Sequence, residues 1–93
     1  MRTSAKQAAI RLKALGFEAL SVSEPNDEED GEIKISDMVH VQVGYDYINV
    51  VKQHGEGDDL SFEFFDAAPS YEKLAEDLRA ALKGYMHSEV GKS

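Results

Sequence analysis

The chain has no cysteine, no tryptophan and only two prolines, and its ten lysines and arginines are outnumbered by eighteen aspartates and glutamates in 93 residues. Without cysteine there is no disulfide framework, no thiolate zinc site and no cysteine nucleophile. No apolar run approaches the roughly 18 residues that a membrane span needs. The opening "MRTSAKQAAIRLKALGF" is too broken by charge to be the hydrophobic core of a secretory signal. A cytoplasmic location is the resulting expectation.

Catalytic patterns are missing too. His40, His54 and His87 form no HxH or HxxxH pair and read as ordinary surface histidines. No glycine pattern matches a phosphate-cradling loop, since "HGEGDD" is acidic and opens a strand, and no serine sits in a nucleophile elbow. Glu56 and Asp58 are loop neighbours with no apolar surround to raise one pKa. The expectation is a protein that is not an enzyme, with no catalytic residue, no cofactor and no metal.

What is present is enough for one core. The length fits a single domain over 1–93, with residues 1–3 and 87–93 as frayed ends. Leu, Ile, Val and Phe supply 22 residues, above the roughly 20% below which charged chains stay disordered. The net charge of −8 is unevenly spread: residues 1–16 carry four bases and no acid, and the rest carries six bases against eighteen acids. Such a body repels phosphate and anionic lipid, so neither nucleic acid nor a membrane is an expected partner. Basic proteins, including those that bind nucleic acid, are the natural ones.

Periodicity gives the elements. Ser4 to Gln7 fits a capping box, Ala5, Ala8, Leu12 and Leu15 recur at helical spacing, and Gly16 with Phe17 fits a Schellman end. Ile10 and Ala14 fall on the other side of that helix, so it is either covered twice or leaves Ile10 exposed. "FEALSVS" alternates as a strand. Ile33, Ile35, Val39, Val41 and Val43 all fall on odd positions, which predicts one long strand bent at Ser36-Asp37. Gly44-Tyr45 is the expected tight turn, "DYINVVKQ" the third strand, and "LSFEFFD" the fourth with Leu60, Phe62 and Phe64 inward. Ser70 caps a second helix whose stripe is Tyr71, Leu74, Leu78, Ala81, Leu82 and Tyr85. The order α-β-β-β-β-α predicts an α+β two-layer sandwich: a four-stranded antiparallel sheet with both helices on one face.

Residues 24–32, "EPNDEEDGE", hold six carboxylates. From Asn26 to Asp37 they overlay a calcium-binding loop, with glycine sixth and oxygen-bearing side chains at positions one, three, five and twelve. Asn at the first position, Lys34 at the ninth, Asp37 at the twelfth and strands on both flanks argue against it. A solvated turn is the expectation, since Pro25-Asn26 and Asp30-Gly31 are turn dipeptides.

Carboxylates on regular elements are better placed to meet a basic partner at fixed spacing. They are Glu18, Glu63, Glu72, Glu76 and Asp77, with Asp58 and Asp59 at a loop edge. The short, acidic, cysteine-free composition without catalytic residues is similar to that of small phage anti-defence proteins, anti-CRISPR inhibitors among them. That resemblance rests on size and composition over the whole chain and implies occlusion of a partner rather than chemistry. Parity also turns Met38, His40 and Gln42 away from the valines, and Tyr47, Asn49 and Phe65 are expected beside them on the open sheet face. Met and aromatics there suggest contact. The expected function is a non-catalytic acidic protein that engages a basic protein partner, as an inhibitor of a nucleic-acid-binding machine. The alternative is an accessory homodimer that pairs through the open face, and small-ligand binding or catalysis comes third.

Overall fold

The computed structural model describes the backbone of residues 4–91 and the side chains of residues 4–83. The elements are α1 (Ala5–Ala14), β1 (Ser21–Ser23), β2 (Gly31–Lys34), β3 (Val39–Val43), β4 (Ile48–His54), β5 (Ser61–Phe64) and α2 (Tyr71–Gly91). Every strand pairs antiparallel with its sequence neighbour, so the sheet order is β1-β2-β3-β4-β5. The fold is α+β, with the two helices flanking the sheet in sequence. No described helix is long and apolar enough to cross a membrane.

Local chemistry sets the bounds of α1. The Ser4 hydroxyl accepts from the Gln7 amide at 3.0 Å, which satisfies one of the donors that a helix start leaves orphaned. At the other end Gly16 adopts φ +100°. There the Phe17 amide donates to the Leu12 carbonyl and the Gly16 amide to that of Lys13, the Schellman pattern. Ala5, Ala8 and Leu12 are buried, and two alanines let the helix lie close to the sheet. Ile10 and Leu15 stay exposed.

The sheet has five strands, not four. Residues 31–43 form a hairpin rather than one bent strand, with Gly31 opposite Val43 and Lys34 opposite His40. The Ser36 hydroxyl makes the turn by accepting from the Met38 and Val39 amides. Odd positions face inward on both arms because paired residues share a face and their numbers add to an even total. The next turn is centred on Tyr45-Asp46, with the Gly44 amide bonded to the Tyr47 carbonyl. Gly44 leaves room there for the Tyr47 ring, since a Cβ would lie 2.1 Å from a ring carbon.

Ile33, Val39, Val41, Val43, Ile48 and Val50 form one buried cluster with Ala5, Ala8 and Leu12 of α1 and Leu74, Leu78 and Ala81 of α2. Both helices therefore cover the same sheet face. Arg11 stacks on Tyr71 at 4.9 Å and Arg79 on Phe17 at 5.9 Å, which ties each helix to its neighbour's end of the layer. The backbone of α2 continues to Gly91, past residue 87 where fraying is expected. Residues 1–3 and 92–93, and the Tyr85 side chain, lie outside the described part.

Candidate functional site

The uncovered face of the sheet is built by register. Ser21, Lys34, His40, Val51 and Phe64 lie opposite one another across all five strands. Gln53 faces Phe62 in the adjoining row. The Phe62 and Phe64 rings lie 6.5 Å apart at 45°, an ordinary tilted aromatic pair. They are nevertheless 48% and 63% exposed, whereas Val51 between Phe64 and His40 is buried.

This is a correction to the expected strand. Phe62 and Phe64 face out, and Phe65 packs against the core cluster on the helix side. The cause is the six-residue connection between His54 and Ser61, which pair with each other. An even-numbered connection reverses parity between the paired strands, so the inward positions are odd on β5 and even on β4. "FEFF" has an apolar residue on either parity, and β4 is apolar on both faces. The missed residues carried no sequence signal beyond the length of that connection.

Around the aromatic pair the chemistry is polar. A depression of about 300 Å³ separates Phe62 and Gln53 from His40, Lys34, Glu32 and Asp37. His40 Nε2 lies 3.8 Å from Glu32 Oε2. Burial lowers the His40 pKa, with the Glu32 carboxylate pulling the other way, which favours the neutral imidazole. Residues 55–66 carry Glu56, Asp58, Asp59, Glu63 and Asp66 and no lysine or arginine. Asp58 and Asp59 are exposed in a short 3-10 turn, Gly57–Asp59, immediately before β5.

The other candidate residues are dispersed. His40 and Gln42 do share the open face, as does Asn49, which is buried. Met38 packs against the core cluster and also lines the open-face depression with His40, Gln53 and Phe62. Glu63 lies opposite Lys52 on the helix-side parity, with its Oε1 2.9 Å from His54 Nε2. Glu72 and Glu76 are exposed on α2, whereas Asp77 is buried and paired with Lys73 at 3.0 Å. The α2 acids thus lie in the other layer from the aromatic pair.

The acidic stretch is anchored at three points. Glu24 reaches across nineteen residues to α1, where Oε1 accepts from the Ala5 amide and Oε2 from the Lys6 amide, both at 2.9 Å. Asn26 Oδ1 accepts from the Glu28 and Glu29 amides, an Asx turn. Asp30 Oδ2 accepts from the Gln42 amide group and the Tyr47 hydroxyl. That bond is the main cause of a raised Tyr47 pKa, and it ties Tyr47 to the acidic loop on the open face, where Gln42 shares Asp30 and the ring lies over Gly44. The twelve positions that overlay a calcium loop do not form one loop. Gly31 opens β2, paired with Val43, and Asp37 belongs to the β2–β3 turn. No group of three or more His, Asp or Glu side chains is arranged to hold a metal ion among the described residues.

No family model matches this chain, and no curated protein or solved structure is significantly similar to it.

Proposed function

We propose that this is a non-catalytic binding protein that docks a basic protein partner on its open sheet face at the β4–β5 side. The observation that carries the proposal is the Phe62–Phe64 pair, 48% and 63% exposed on the sheet face opposite the two helices. Neighbouring phenylalanines on an exposed sheet are the kind of residue that fills the core of an interface. Glu56, Asp58, Asp59 and Asp66, with Glu63 on the helix-side face of the same strand, give this edge charge of one sign, which favours basic partners and speeds encounter with them. A partner of this kind that binds nucleic acid would have its basic groove occluded, the inhibitory form of the same function.

The test is capture from a host lysate by the wild-type chain and by Phe62→Ala/Phe64→Ala, at low salt and at ~0.5 M salt. Each captured protein is then purified and its affinity measured by calorimetry. Direct binding of a basic protein that weakens at least tenfold with the double substitution, and again with salt, supports the function. Equal binding by both chains removes the open face from it. Light scattering on the same two chains reads the alternative: a wild-type dimer that the double substitution converts to monomer makes the face a self-association surface.

A further inference from the structure

We propose that the partner segment is an extended strand of alternating basic and apolar residues, which adds antiparallel to the free edge of β5. This rests on the open-face function above and specifies how the partner is held. In an antiparallel ladder, alternate residues of each strand bond to the neighbour and the others point away. The Phe65 amide donates to the Val50 carbonyl. With Val51 opposite Phe64 and Lys52 opposite Glu63, residues 61, 63 and 65 therefore turn their amides and carbonyls toward β4. Those of Phe62 and Phe64 turn outward, and no described residue pairs with them.

The same two residues thus present both halves of a docking strip: two donors and two acceptors along the edge, and two rings on the open face. Proteins normally blunt such an edge with lysine, proline or a bulge. Here β5 reads Ser-Phe-Glu-Phe, and the nearest lysine or arginine after Lys52 is Lys73. The opposite edge differs: β1 is three residues long and turns two serines to the open face.

An added antiparallel strand would place its bonded residues opposite Phe62 and Phe64, with their side chains beside the rings, so these should be apolar. Its intervening side chains would fall on the side of Glu63, next to the acidic 3-10 turn, so these should be basic. A second copy of this chain fits less well. It brings another −8 of charge, and any register that centres the pairing on residue 63 sets Glu63 against Glu63.

The probe is a capped hexapeptide of alternating lysine and valine, tested against the full chain by calorimetry and by amide hydrogen exchange. Saturation should slow exchange selectively at the Phe62 and Phe64 amides. N-methylation of the valines should weaken binding about tenfold or more, because it removes the donors that face β5, whereas N-methylation of the lysines should change it by less than about threefold. A glutamate-valine peptide should not bind. Three results overturn the inference: no binding by the lysine-valine peptide, equal tolerance of both N-methylated sets, or binding without protection of Phe62 and Phe64. If Phe62→Ala/Phe64→Ala abolishes capture of the protein partner while the peptide fails any of these criteria, the edge-pairing mode falls and the open-face function stands. If the double substitution affects neither, both fall.

Discussion

Replacing Glu24 by glutamine isolates what the acidic stretch does for the fold. The Glu24 carboxylate accepts two amide hydrogen bonds at the N-terminus of α1. That helix has no acid of its own in its first turn, so Glu24 supplies the negative charge that a helix dipole favours there. The charge–dipole contribution is about 0.3–1 kcal/mol for a surface site, and loss of a capping acceptor costs about 0.5–2 kcal/mol. Glutamine keeps one neutral acceptor, so Glu24→Gln should cost about 1 kcal/mol, and Glu24→Ala about 1–2 kcal/mol. In a domain of this length 1 kcal/mol corresponds to roughly 4–8 °C in Tm.

The control is Glu28→Gln. It removes the same charge from the same stretch, but the Glu28 side chain has no hydrogen-bond partner among the described residues and only its amide is held, by Asn26. On a chain of net charge −8, removing one exposed acid relieves repulsion slightly, so Glu28→Gln should be neutral or marginally stabilising. Thermal melts of the two variants at low and high salt give the comparison. Equal melting temperatures for both would refute the capping role and return the whole stretch to a solvated turn.

Three further outcomes are expected. Leu78 is fully buried at the junction of α2 and the sheet, so Leu78→Ala should cost about 2–5 kcal/mol in chemical denaturation; a loss below about 1 kcal/mol would place the docking of α2 elsewhere. The His40 pKa is lowered in the fold, so below about 6.5 the unfolded chain takes up a proton before the folded one does. Its contribution to stability is therefore full above that pH and is lost as pH falls toward the folded pKa. Denaturation midpoints from pH 7.5 to 5 should fall less steeply for His40→Gln than for the wild type. Gly44→Ala should displace the Tyr47 ring and cost about 1–3 kcal/mol, and the same change on a Tyr47→Ala background should cost little, which a double-mutant cycle reads directly.

The parts of the fold that were legible in the sequence are those fixed by neighbours within a turn of chain. Ser4 and Gly16 bound α1 by bonds to residues three to five positions away. The Leu74, Leu78 and Ala81 spacing places the buried stripe of α2. The count of strands was not legible, because a hairpin with an odd number of residues between its paired ends leaves the same odd-numbered valines inward as one continuous strand would. The outward face of β5 was not legible either, since it depends on whether five or six residues separate it from β4, and "FEFF" suits both outcomes. Of the candidate site, His40 and Gln42 were placed correctly by parity. So was Tyr47, which shares Asp30 with Gln42 through a bond that no local pattern encodes; Met38 lines the open-face depression and also touches the core, and Phe65 alone was misplaced.

Charge density and charge function separate in this molecule. The densest run of acid, residues 24–32, lies at the end of the sheet near the start of α1, where Glu24 and Asp30 already hold amides and a hydroxyl in place. A carboxylate that is saturated by its own protein has less field to offer a partner, and withdrawing it would cost the fold. The sparser acids of residues 55–66 are different. Asp58 and Asp59 are exposed in a one-turn helix and lie beside the strand that carries the exposed rings. Repulsion between charges on so short a loop is small in water, and a basic partner would relieve it. Apolar surface, an open backbone edge and exposed negative charge converge at β5. Under the proposed function, such convergence, rather than the total of −8, would set the β5 surface apart from an acidic but otherwise ordinary exterior.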